Sequence, residues 1–103
     1  MIKRSKTNLP IAIHPGEFLR EDYLKPLGLS VNALALALRV PATRMSEIVN
    51  ERRSITVDTA IRLSLFFETT PDYWIRLQTT YELSIGQLEL MPRLKKEIQP
   101  RVA

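Results

Sequence analysis

Cysteine is absent from the 103 residues, which excludes a disulfide framework and a thiolate metal site and leaves nothing that points to an oxidising compartment. Histidine occurs once. Catalysis needs convergent polar groups, and His14, just before "PGE", suits a cap or a packing role at a helix start better than that of a base. The Asp and Glu residues are spread along the chain without metal-like clustering, so no catalytic residue, metal or cofactor is expected. No apolar run approaches the ~18 residues of a membrane span. The opening "MIKRSKTNLPIAIH" is basic, but its apolar patch is short and broken by Pro10, unlike a secretory signal. A cytoplasmic protein without membrane association is the expectation. Glycine is scarce at three residues, whereas seven prolines punctuate the chain.

What is present is enough for one domain with a modest core. Charge is unevenly placed. Residues 1–56 carry nine Lys/Arg against five Asp/Glu, residues 57–91 two against five, and residues 92–103 four against one. A basic front beside an acidic middle suits a polyanion on one side and a basic protein partner on the other, although ordinary surface charge produces similar counts.

Apolar periodicity predicts five short helices. "PGEFLREDYLKPLG" has Pro15 at its start, Phe18, Leu19 and Tyr23 as its inward face, and Pro26 and Gly28 at its close. Ser30 caps "VNALALAL", whose inner stripe is Leu34, Ala35 and Leu38. After the short turn "RVP" comes "ATRMSEIVN", with Met45, Ile48 and Val49 facing inward at helical spacing. Thr56 caps "VDTAIRLSLFF", with Ala60, Leu63, Ser64 and Phe67 on one face, and Asp58 sits near its positive N-terminus. Thr70 and Pro71 open "PDYWIRLQTTYEL", where Trp74, Leu77, Gln78 and Tyr81 recur at helical spacing and Trp74, Leu77 and Tyr81 read as core or dimer surface. In the tail "SIGQLELMPRLKKEIQPRVA" Leu88, Leu90, Met91, Leu94 and Ile98 could give an amphipathic helix, but Gly86, Pro92 and Pro100 interrupt any long one, and it reads as a partly ordered extension.

Two eight-residue helices joined by a short turn, with Ala at the close contact, form a helix-turn-helix. The outward face of the second helix then protrudes and fits the major groove of B-DNA. On that face Arg44 suits guanine O6/N7, Glu47 a cytosine amino group, and Thr43 and Ser46 several base edges. Asn50, Arg52, Arg53 and Thr56 lie just past the helix, where phosphates run, and Ser30 and Asn32 open the preceding helix, whose amides attract phosphate. For an arbitrary amphipathic helix the same residues are simply a solvated face. The preceding Ala-rich helix, the short turn and the trailing "ERRSIT" favour the reading face.

From His14 to about Leu83, "HPGEFLREDYLKPLGLSVNALALAL", "VPATRMSEIVNERRSITVDTAIRLSLFF" and "TTPDYWIRLQTTYEL" resemble a HigA-type antitoxin of the lambda-repressor-like (XRE) helix-turn-helix family. The resemblance implies an all-α, five-helix lambda-repressor-like DNA-binding domain over residues 14–83. A flexible basic arm would precede it over 1–13, and an extension for partner or dimer contact would follow over 84–103. It implies an autorepressor that also binds and neutralises a small basic RelE-like toxin, which cleaves mRNA. Base reading in that family falls on positions matching Ala42, Thr43, Arg44 and Glu47, and phosphate contact on those matching Asn50, Arg52 and Arg53. Two positions depart from the pattern: Arg39 and Glu51 stand where glycine is common. If the backbone needs positive φ there, each costs about 1 kcal/mol, with Arg39 compensating near a phosphate and Glu51 repelling one.

A homodimer on a palindromic double-stranded operator is expected, because one such module buries little DNA surface and two spaced a helical turn apart gain affinity and specificity. Two other readings share these features: a stand-alone XRE regulator without a toxin, and a protein-interaction module of the same fold.

Overall fold

The computed structural model describes residues 2–4 and 10–102. Three of its helical segments begin at a residue whose side chain caps them, His14, Ser30 and Thr56. His14 adopts an extended backbone and its Nδ1 accepts the Gly16 N–H at 2.9 Å, opening α1 (Pro15–Phe18) with Pro15 in the first turn. A π-helical turn, Leu19–Leu24, carries this rod into α2 (Lys25–Leu27), and Gly28 ends it at φ 61° in the left-handed region. The wide turn lies just ahead of Pro26, which has no N–H to return to the carbonyl four residues back. It also re-registers the buried face. Leu19 and Leu24, five residues apart, are buried, while Phe18 and Tyr23 of the expected face are only half-buried.

α3 (Val31–Leu38) starts at Ser30, whose Oγ accepts the Ala33 N–H at 3.0 Å. α4 (Ala42–Val49) follows, and α5 (Val57–Phe67) starts at Thr56, whose Oγ1 accepts the Thr59 N–H. Their inner stripes lie where periodicity puts them: Leu34, Ala35, Leu38, Met45, Ile48, Val49, Ala60, Leu63 and Ser64 are all buried. Phe67 is half-buried against Tyr23 and Trp74. Trp74, on α6 (Pro71–Glu89), closes the core: it is fully buried, and its Nε1–H donates to Thr69 Oγ1 at 2.8 Å. Burial, together with a hydrogen bond to Tyr73, pushes the neighbouring Tyr23 phenol up to about 12, so it stays uncharged at neutral pH.

The ends differ from expectation. α6 runs unbroken through the expected boundary at 83/84 and through Gly86, whose cost of about 1 kcal/mol is one the half-buried Ile85 and Leu88 can offset. Pro92 sits in the first turn of α7 (Met91–Glu97), where proline is compatible with helix. Hence the extension is helical to Glu97; with α1, the π turn and α2 counted as the one rod expected, α7 is a sixth helix among the described residues. In the arm, β1 (Ile2–Arg4) and β2 (Pro10–Ala12) pair antiparallel with Ile2 opposite Ala12, and the Ala12 N–H donates to Ser84 Oγ on α6 at 3.2 Å. A flexible arm is the expectation over 1–13; backbone pairing of two three-residue strands leaves no periodic signal long enough to read. Residues 1 and 5–9 of that stretch lie outside the described residues.

Arg39 and Glu51 both take positive φ, 58° and 63°, as does Glu68 at 56°. The backbone thus keeps the left-handed turns that glycine favours, although the sequence does not supply glycine. Arg39→Gly is expected to stabilise the fold by about 1 kcal/mol, a rise of several degrees in melting temperature by calorimetry. An unchanged or lower melting temperature would mean that contacts of the Arg39 side chain outweigh the strain.

Candidate nucleic-acid interface

α3 and α4 pack against each other, with Ala35 of α3 buried, and α4 shows solvent the side opposite Met45, Ile48 and Val49. Ala42 and Thr43 are exposed, and Arg44, Ser46 and Glu47 are half-buried at the edge of that face. All five residues expected to read bases therefore lie on one helix, away from its buried stripe. Three of them are already engaged, Ser46 through an Oγ that accepts from Asn50 Nδ2 at 3.5 Å. Arg44 Nη1 lies 2.7 Å from Asp58 Oδ2, and Glu47 Oε1 lies 2.7 Å from Arg53 Nη2, the latter an ion pair by distance without hydrogen-bond alignment.

The residues expected at phosphates form the rim. Ser30 and Asn32 are exposed at the start of α3, with Ser30 Oγ committed to its cap. Asn50 Nδ2 donates to the Ser46 carbonyl at 2.8 Å and closes the last turn of α4. Arg52 and Arg53 are exposed in the loop after it, and Arg39 is exposed at the turn between α3 and α4. Thr56 shares a cleft with Arg44, Arg53, Asp58 and Arg62. Of the residues read as core or dimer surface, Trp74 is buried, whereas Leu77 is half-buried and Tyr81 half-buried edge-on to His14, ring centres 4.9 Å apart.

Four residues that hold this surface in place are not among the site residues expected from sequence. Arg20, on the π turn, donates from Nη1 to the Val49 carbonyl at 2.6 Å and from Nη2 to Glu51 Oε2 at 3.3 Å. It thereby satisfies an orphan carbonyl at the end of α4 and, although its Nε also pairs with Glu21 at 2.9 Å, offsets part of the Glu51 charge that would repel a phosphate. Gln78 is buried on α6. Its Oε1 accepts the Ile55 N–H at 2.8 Å and its Nε2 donates to Glu82 Oε1 at 3.0 Å, pinning the loop that bears Arg52 and Arg53. Asp58 and Arg62, one helical turn apart on α5, form an ion pair at 3.0 Å, and Arg62 Nη1 donates to the Leu38 carbonyl at 2.8 Å. Hydrogen bonds first from Arg44 and then from Arg62 hold the Asp58 carboxyl below its ordinary range. The spacing of Asp58 and Arg62 is visible in sequence; the long-range partners of Arg20 and Gln78 are not.

Gly16 supplies a different kind of support. A side chain there would strike the carbonyl of Ile48, so α1 lies directly against the last turn of α4. Among the described residues no group of three His, Cys, Asp or Glu is placed to hold a metal, and no helix is long and apolar enough to cross a membrane.

The helix-turn-helix family HTH_3 matches residues 21–74. Virulence-associated protein I of Dichelobacter nodosus is 51% identical over 86 residues, which cover 84% of this chain and 79% of that protein. The fold is similar to that of Pseudomonas aeruginosa antitoxin HigA, solved with the higBA promoter, at a TM-score of 0.84 and 40% identity, covering 87% of this chain and 98% of that one. It is similar also to an addiction module antidote protein of a HigA family from Coxiella burnetii, at a TM-score of 0.82 and 41% identity, covering 88% and 99%.

Proposed function

The chain belongs to the XRE-type helix-turn-helix family and has the HigA-type antitoxin fold, and on that premise we propose that it is an antitoxin that represses its own operon by binding a palindromic operator and neutralises a small basic RelE-like toxin by direct contact. The observation that carries the reading is the polar side of α4 opposite its buried stripe, where Thr43 is exposed and Arg44, Ser46 and Glu47 are half-buried, with the exposed Arg39, Arg52 and Arg53 in the turns at its two ends. In this reading Ala42 and those four residues read base edges. Ser30, Asn32, Arg39, Asn50, Arg52, Arg53 and Thr56 set the register on phosphates, and a homodimer places two copies of α4 one helical turn of DNA apart. The HigA structure solved with its promoter supports the DNA half of the proposal.

Arg44→Ala is expected to cost about 1–3 kcal/mol of discrimination at one base position and to leave the melting temperature near that of the parent. Binding of the chain to its own upstream DNA, measured with single-base replacements, tests this; unchanged discrimination rejects the assignment of the reading face. The toxin half is tested by expressing the chain with its flanking DNA and identifying what co-purifies. A stoichiometric basic protein that cleaves mRNA when freed supports the proposal. Purification alone, with DNA binding intact, reduces the protein to a stand-alone regulator.

A further inference from the structure

We propose that Asp58 is a positioning residue for base recognition: from the start of α5 it holds the Arg44 guanidinium by one terminal nitrogen and presents the remaining edge to a guanine. The inference rests on the reading of α4 as the helix that enters the groove. Arg44 Nη1 lies 2.7 Å from Asp58 Oδ2, and the same oxygen accepts from Arg62 Nε at 3.0 Å. Arg62 in turn donates from Nη1 to the Leu38 carbonyl at 2.8 Å, at the end of α3. A continuous chain of charge-assisted hydrogen bonds therefore runs from the first helix of the motif, through α5, to a side chain on the groove-facing side of the second.

The geometry favours presentation over blockade. A guanidinium has five N–H donors in a rigid plane, and Asp58 engages it at Nη1, which leaves the Nε/Nη2 edge with the spacing that matches guanine O6 and N7. Two arginines share one carboxylate, so the cluster keeps a net positive charge and still attracts the duplex. Asp58 itself is anchored, because it sits in the first turn of α5, where the helix dipole favours an anion. A long arginine held in this way loses its rotamer freedom on folding rather than on binding, and that restraint sharpens its choice between bases.

A double-mutant cycle tests the proposal with a duplex enriched by the parent chain from a random-sequence pool, and with the same duplex in which the guanine read by Arg44 is replaced by adenine. The Arg44→Ala arm identifies that guanine and is scored first. If Arg44→Ala leaves discrimination unchanged at every guanine, the reading of α4 fails and the proposal falls with it. If Arg44→Ala loses discrimination, Asp58→Asn is expected to lose roughly three- to tenfold of it. Asp58→Asn should meanwhile bind the adenine duplex as well as the parent or better, since a negative charge has been removed, and should add nothing to the loss in the Arg44→Ala background. Full discrimination by Asp58→Asn, or equal weakening of both duplexes, overturns the positioning role while leaving the reading of α4 intact. Should Asp58→Asn fail to fold, Asp58→Glu keeps the charge and displaces it by one methylene. The expected result is then weaker discrimination at an unchanged dependence of binding on salt, and undiminished discrimination overturns the proposal.

Discussion

Trp74→Ala is expected to remove about 3–5 kcal/mol of stability, the usual cost of deleting a fully buried large aromatic side chain, and in a chain of this length that is a large share of the total. Three rings surround the indole: Tyr73 at 5.0 Å, Tyr23 at 5.2 Å and Phe67 at 6.3 Å between centroids. They come from α6, the π turn and α5, so the tryptophan joins three elements and no single neighbour can collapse into the space it leaves. The indole also donates to Thr69 Oγ1, in the short connection between α5 and α6. Trp74→Phe separates the two contributions: it keeps most of the apolar contact and leaves Thr69 without its donor, and is expected to cost less than half as much. Urea or thermal unfolding read by circular dichroism decides the matter, since the only tryptophan is the one removed. A loss under 1 kcal/mol for Trp74→Ala would mean that α6 is not held by this cluster.

Gly16→Ala is the second large effect. The added methyl points at the Ile48 carbonyl, a backbone atom at the end of α4 that cannot rotate away as a side chain can. Overpacking usually costs about 1–3 kcal/mol, occasionally more, and the fixed carbonyl places this substitution at the upper end. Relief requires α1 and α4 to separate. Arg20, on the rod that continues α1, holds the Val49 carbonyl and Glu51, so separation also loosens the end of the helix assigned to base reading. Both melting temperature and operator affinity are expected to fall together. Gly16→Ala with parental stability would show that the rod shifts without cost; normal stability with lost affinity would show that the position of α4, rather than its folding, is what α1 controls.

The positive φ at Arg39 and Glu51 ties sequence to structure in an instructive way. Both positions were suspect on sequence because glycine is common there in the family, and both keep the left-handed backbone. The Arg39 turn is held by a local backbone cap and the Glu51 turn by a tertiary contact. The Arg39 N–H returns to carbonyls at the end of α3, and Arg20 pairs with Glu51. The same contact alters the electrostatic meaning of Glu51: a carboxylate expected to repel phosphate is held by a guanidinium from a residue 31 positions earlier.

By itself the sequence determined the order of the helices, their caps at Ser30 and Thr56, the buried stripes of α3, α4 and α5, and the polar side of α4. All of these rest on local spacing, because a helix brings residues three and four apart onto one face and a cap acts within its own first turn. Where the period itself changed, local reading missed: the π turn moved burial from Tyr23 to Leu24; the continuation of α6 through Gly86 was missed as well. Only the tertiary structure decided that Arg44 meets Asp58, that Arg20 closes the end of α4, and that Gln78 holds the loop of Arg52 and Arg53. Those contacts join residues from 14 to 31 positions apart, and no periodicity records which long side chain reaches which backbone group once separate helices have packed.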